Sequence, residues 1–119
     1  HAGVRWYELR NYNDGAGWVL HGGGTFAPDS DHRWMGSASV DNEGNIGLIY
    51  SISGSTTYPS VGYTTVLSDG TVTGEAVLAA GGGFQSGANR WGDYATVHMD
   101  PDGCTFWGTA EYVQTTGNY

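Results

Sequence analysis

The sequence predicts an all-β fold assembled from two copies of one four-stranded unit, and three observations carry that expectation. Of 119 residues 21 are glycine, 13% are aromatic and leucine is scarce, a composition that suits short strands and tight turns rather than amphipathic helices. Turn signals built on Asn or Asp followed by Gly recur along the chain. The sequence also repeats itself. Gly22-Gly23-Gly24 matches Gly81-Gly82-Gly83, Phe26 falls near Phe84, His32-Arg33-Trp34 matches Asn89-Arg90-Trp91, and Asp41-Asn42-Glu43-Gly44-Asn45 lines up with Asp100-Pro101-Asp102-Gly103-Cys104, at a shift of 57 to 59 residues.

The repeat divides the chain into residues 1–59 and 60–119. In the first copy the strand-like runs are Val4 to Arg10, Gly17 to His21, Arg33 to Asp41 and Asn45 to Ser53; in the second they are Val61 to Leu67, Thr71 to Ala79, Arg90 to Met99 and Cys104 to Val113. Between paired runs lie Asn13-Asp14-Gly15, Asn42-Glu43-Gly44, Ser68-Asp69-Gly70 and Asp100-Pro101-Asp102-Gly103. Asn and Asp tolerate left-handed backbone angles and Gly adopts them without a Cβ clash, so these segments predict four hairpins in series.

A four-stranded repeat of this length fits a β-propeller blade better than a solenoid turn, whose units are shorter. Ile46, Leu48, Tyr50 and Ile52 alternate with Ile49, which predicts a strand buried on both faces, as when blades stack. Gly36-Ser37-Ala38-Ser39 is nearly free of bulk and suits the crowded strand beside a propeller axis, with Tyr94-Ala95-Thr96-Val97 as its counterpart. One complete blade then runs from about residue 33 to 80, out of phase with the repeats, and each terminal hairpin is half a blade. Two blades cannot close on themselves. Closure falls either to identical copies joined head to tail or to sequence outside this segment; closed propellers carry roughly four to eight blades, so a homo-oligomer is expected, a trimer or tetramer making six or eight.

Gly3-Val4-Arg5-Trp6-Tyr7-Glu8-Leu9-Arg10, Gly24-Thr25-Phe26-Ala27-Pro28-Asp29, His32-Arg33-Trp34-Met35-Gly36-Ser37, Arg90-Trp91-Gly92-Asp93-Tyr94 and Cys104-Thr105-Phe106-Trp107 together resemble a family of bacterial secreted propeller proteins, sialidase-like in fold. The resemblance spans almost the whole chain. It implies fold and a secreted or extracellular location, and it brings no established activity. Members of that family are longer, so the resemblance also suggests an excerpt.

Twelve carboxylates stand against four Arg and no Lys, for a net charge of -8. Nucleic-acid binding needs clustered cations, so a phosphate-backbone partner is not expected. No run approaches the roughly 20 apolar residues that cross a bilayer, and neither a leader within this segment nor a membrane partner is expected. Cys104 stands alone, which excludes a disulfide within the chain and predicts a small buried side chain or a partner elsewhere.

Three of the four Arg precede a Trp. Neighbours along a strand point to opposite faces, so each Arg is free of its own Trp and can meet a carboxylate or an aromatic ring from elsewhere. The candidate ligand-binding residues are accordingly Arg33, Trp34, Arg90, Trp91, Asp93 and Tyr94, which would form a polar mouth suited to carboxylated sugars. The competing expectation is structural, with Arg33 and Arg90 paired to carboxylates such as Asp31 or Asp93. Trp18, Trp34, Trp91 and Trp107 can serve as sugar-stacking platforms or as blade-to-blade packing.

No catalytic residue, metal site or cofactor is assigned. Asp93, Tyr94, Glu111 and Tyr112 supply the residue types of a sialidase-like hydrolase without its spacing. Asp29-Ser30-Asp31 and Asp100-Pro101-Asp102 read as Asx-turns rather than calcium loops, which need more donors. A copper site on His1 is not supported. The expected function is a non-catalytic binding or scaffold module that assembles into a ring, with glycans as the ligand class. The alternatives are a sialidase-like glycoside hydrolase and a propeller fragment without autonomous function.

Overall fold

The computed structural model describes residues 1–118, and these form an all-β chain. The strands are β1 (Val4–Asn11), β2 (Trp18–Phe26), β3 (His32–Val40), β4 (Ile46–Ser53), β5 (Ser60–Val66), β6 (Ala76–Ala79), β7 (Gln85–Ser86), β8 (Thr96–Met99), β9 (Phe106–Thr109) and β10 (Gly117–Asn118). β3, β4, β5 and β6 form one antiparallel sheet in chain order, flanked by the separate hairpins β1–β2 and β8–β9. A two-residue parallel pairing of β7 with β10 completes the described strands.

Turn chemistry sets the hairpins. Gly15, Gly44, Gly70 and Gly103 all have φ between 81° and 88°, each at the end of a predicted turn. Side chains would be strained there, and the Asp or Asn before each glycine closes the loop by accepting a backbone N–H two residues on: Ala16 N to Asp14 Oδ1, Glu43 N to Asp41 Oδ1, Thr71 N to Asp69 Oδ1 and Cys104 N to Asp102 Oδ1.

β4 is the centre of the molecule. Its residues from Ile46 to Ile52 are all buried, and the alternation divides them between two apolar clusters. Ile46, Leu48, Tyr50 and Ile52 join Val4 and Val66, with Trp6 and Phe26 packed against them. Ile49 faces the other way, into Val61 and Val97, with Phe106 and Ala110 alongside. The central sheet therefore carries β1–β2 on one face and β8–β9 on the other, a two-sided burial that the run from Ile46 to Ile52 predicts.

Close approach depends on missing side chains. A Cβ on Gly47 would stand 3.1 Å from the Phe106 ring, and one on Gly108 would stand 2.8 Å from Ile49 Cδ1, so β8–β9 lies tightly on β4. β3 and β8 are neighbours, joined by Val97 N donating to Ser37 Oγ at 3.0 Å. The turns after them are joined as well, Asn42 N donating to Gly103 O at 3.0 Å.

Four strand boundaries differ from those expected. β2 runs on through Gly22-Gly23-Gly24 to Phe26 because the bare backbone passes under aromatic rings: a Cβ on Gly24 would stand 3.0 Å from Trp6 Nε1. β6 begins only at Ala76, since Thr71 to Glu75 are drawn into side-chain bonds, with Thr64 Oγ1 donating to Thr73 O and Thr73 Oγ1 accepting from Thr65 N. The run from Arg90 is broken by the left-handed Gly92 (φ 72°), leaving Thr96–Met99 as β8. β9 ends at Thr109, where the chain turns to run beside Pro59 and Gly82 through Val113. In the first repeat Met35 (φ 48°) occupies the position of Gly92, directly after Arg33-Trp34, and causes the register shift in β3.

The molecule is elongated, 53 × 30 × 24 Å. Its radius of gyration of 15.9 Å exceeds the about 13.5 Å of a compact domain of this length. Three stacked layers, two of them only half as wide as the centre, account for the excess.

Candidate functional site

Arg33 is fully buried, and its guanidinium is enclosed by two carboxylates. Nε donates to Glu75 Oε2 (2.6 Å) and Nη2 to Glu75 Oε1 (2.9 Å); Nη1 and Nη2 donate to Asp29 Oδ1 and Oδ2 (2.8 and 2.9 Å); Nη1 also donates to Asp31 O (3.0 Å). A guanidinium has five N–H groups, and all five are used here. The ring of Phe26 lies beneath, 5.6 Å from the guanidinium carbon. Tyr50 donates its hydroxyl to Glu75 Oε2 at 2.8 Å, so one carboxylate serves both groups.

These contacts shift the ionisation of Arg33, Tyr50 and Asp29. The Glu75 hydrogen bond, then that from Asp29, holds the Arg33 pKa well above its ordinary value against the opposing effect of burial. Burial and then the Glu75 carboxylate push the Tyr50 phenol above its ordinary range. The Arg33 guanidinium and the Asp31 N–H hold the Asp29 carboxyl below the usual carboxylate range.

Arg33 therefore has no N–H left for a ligand. Its carboxylate partners are Asp29 and Glu75 rather than Asp31 or Asp93; Asp31 contributes only its carbonyl, while its carboxylate accepts from Thr57 Oγ1. Trp34 and Trp91 are half-buried and meet edge to face with ring centroids 5.6 Å apart, so the two rings pack on one another. Asp93 and Tyr94 stand exposed after Gly92, Tyr94 at 82%, and are not drawn into a constellation.

Arg90 differs from its counterpart. It is exposed and makes no hydrogen bond or ion pair among the described residues, and with Trp91 it lines a cleft of about 490 Å³ shared with Gln85, Glu111, Tyr112 and Gln114. Gly92 N donates to Glu111 Oε2 at 3.3 Å, tying the loop to the far wall. Next to Gly92 lies Ser51, whose buried Oγ has no hydrogen-bond partner among the described residues.

The Asp100 turn is a second polar cluster. Asp102 accepts from Thr105 Oγ1 (2.6 Å), Cys104 N (2.9 Å) and Thr105 N (2.8 Å), and those bonds hold its carboxyl down at about 2. Trp107 Nε1 donates to Asp100 Oδ2 at 2.6 Å. Asp31 N and Asp102 N donate to Asp29 Oδ1 and Asp100 Oδ1, the bonds of Asx-turns, and among the described residues no group of three or more His, Cys, Asp or Glu is placed to hold a metal. Cys104 is exposed, contrary to the buried position expected, because its backbone is drawn into the Asp102 turn.

Sequence reasoning passed over Glu75, which lies 42 residues from Arg33 and belongs to no motif. Its one signal was an isolated carboxylate entering the apolar run Ala76-Val77-Leu78-Ala79. Gln85 and Gln114 of the cleft gave none.

Comparison with protein-family models, with curated proteins and with solved structures gives no match for this chain.

Proposed function

We propose that the chain is a non-catalytic scaffold module, an arc of a β-propeller that closes into a ring by adding copies of itself head to tail. The supporting observation is that the two terminal hairpins leave complementary gaps on the central sheet. β8–β9 covers β3 and β4 and leaves a cleft of about 280 Å³ beside β9, lined by Ile49, Tyr63, Leu78, Val97 and Phe106. On the opposite face a cleft of about 400 Å³ opens beside β1, lined by Trp6, Leu9, Ala38, Val40 and Ile46.

Among the described residues β1 pairs only with β2 and β9 only with β8. Setting β1 of one copy beside β9 of another would give a sheet β8-β9-β1-β2 on the same antiparallel plan as β3-β4-β5-β6. Tyr7, Leu9 and Leu20, all exposed, would then cover Tyr63 and Leu78, and Trp107, 68% exposed, would cover Ala38 and Val40 of the next copy. Unpaired strand edges beside exposed apolar surface favour such pairing. Charge favours the head-to-tail sense modestly: β1 carries Arg5 and Arg10 against Glu8, which pairs with Arg10, while the last hairpin and its flanks carry Asp93, Asp100, Asp102 and Glu111 against Arg90.

Light scattering coupled to size exclusion tests the assembly. A closed particle of three or four chains is the expected result, and Tyr7→Asp and Trp107→Asp, both at exposed positions, should reduce it to folded monomers. A monomer at all concentrations would overturn self-assembly, and a two-chain particle would overturn the six- or eight-bladed count.

A further inference from the structure

The geometry points to the Arg90 cleft as a binding site for a neutral, pyranose-containing glycan. This goes beyond the assembly reading and does not depend on it, because every wall of the cleft comes from one chain.

The comparison of two arginines opens the case. Arg33 and Arg90 begin equivalent Arg-Trp segments, each followed by a residue with positive φ, Met35 in one and Gly92 in the other. Arg33 spends its donors on Asp29, Glu75 and the Asp31 carbonyl. At the repeat shift that maps Arg33 to Arg90, Asp29 and Asp31 fall on Ser86 and Ala88, so the second repeat has no carboxylate where Asp29 stands in the first. Arg90 accordingly keeps a fork of donors facing a cleft instead of a salt bridge.

The other walls select the ligand. Trp91 and Tyr112 offer aromatic surface, Glu111 offers an acceptor, and Gln114 offers an amide, which donates and accepts. A pyranose has an apolar C–H face for the rings and a rim of hydroxyls that both donate and accept, so Arg90 and Glu111 are satisfied by one ligand. The cleft, about 490 Å³, is the size of a small-ligand site. Net charge decides between neutral and acidic sugars: the chain carries -8, and Glu111 stands in the cleft itself, so a polyanion is repelled.

An array of neutral and acidic oligosaccharides, followed by calorimetry on the best neutral binder, tests the site. A neutral glycan should bind with an affinity that stays level between low and ~0.5 M salt, since no ligand charge is screened. Arg90→Gln and Tyr112→Ala should each weaken it by about tenfold or more at unchanged thermal midpoint. Binding confined to acidic glycans, or falling steeply with salt, overturns the ligand class, and binding that survives both substitutions overturns the site. Absence of any glycan signal overturns the inference, while the particle mass from light scattering reports on assembly separately.

Discussion

Arg33 and Glu75 meet across the full width of the central sheet, one on the first strand and the other at the entry to the last, through bonds of 2.6 and 2.9 Å. Arg33 is completely buried and Glu75 is 17% exposed at its side chain, so little water compensates either charge if the other is lost. Removing one partner of a buried ion pair costs ~3–5 kcal/mol, mostly because a charge is left uncompensated. Glu75→Ala is therefore expected to lower the unfolding free energy by about that amount in urea titration. Asp29→Ala should cost clearly less, because the Asp29 carboxylate is 54% exposed and Glu75 still faces the guanidinium. Equal losses at the two positions would contradict this ranking.

The Tyr50 hydroxyl has a separable role. It donates to the same Glu75 oxygen that receives Arg33 Nε, and its ring is wholly buried against Phe26 at 5.8 Å between centroids. Tyr50→Phe keeps the ring and deletes one hydrogen bond to a charged group, for an expected cost of ~1.5–3 kcal/mol. A double-mutant cycle with Glu75→Ala should show strong coupling, the Tyr50→Phe cost nearly vanishing once the carboxylate is gone. Independent, additive costs would mean that the hydroxyl stabilises the protein by another route.

Local signals were legible in the sequence, and long-range partners were not. The Asx-Gly turns appeared because each one is decided within a few residues, and the two-faced burial of β4 appeared because alternation along one strand records both neighbours. Strand ends were harder to read: the Gly22-Gly23-Gly24 run resembles a turn in isolation and becomes strand only when the Trp6 indole lies over it. Arg33 and Arg90 looked equivalent in sequence, but Arg33 meets Asp29, for which the second repeat has no matching carboxylate, and Glu75, which sheet order brings in from 42 residues away. Cys104 looked apolar, and the turn around Asp102 outweighed that tendency.

A glycine of β5 and one in the connection into β6 should behave oppositely on substitution by alanine. A Cβ on Gly62 would stand 2.7 Å from Tyr50 Cε2, a ring with no exposed surface, whereas one on Gly74 would meet nothing within 4 Å. Overpacking a closed core costs ~1–3 kcal/mol, so Gly62→Ala should destabilise by that amount. Gly74 has no left-handed requirement, and Gly74→Ala should be neutral or stabilising by up to ~1 kcal/mol through the entropy of the unfolded chain. Chemical denaturation of both variants checks the pair, and a destabilised Gly74→Ala would show that the connection into β6 needs more room than it displays.

Acid should weaken the fold through its turn carboxylates. Asp102 sits at about 2 against an ordinary 3.8, chiefly because of the Thr105 hydroxyl, and Asp29, Asp41 and Asp69 are lowered as well. A depressed carboxyl contributes stability that is present above its unfolded value, and the contribution disappears as pH falls through the folded value, because the unfolded chain takes up protons first. The thermal midpoint should therefore hold level above pH 4 and fall between about pH 4 and 2. Thr105→Val removes the hydroxyl donor and keeps the side-chain shape, so the Asp102 carboxyl should move up toward 3.8 and the acid limb of the profile should flatten. Side-chain carboxyl shifts followed by NMR would read this directly, and an Asp102 that titrates at its ordinary value in the unsubstituted protein would show that the turn does not hold its charge.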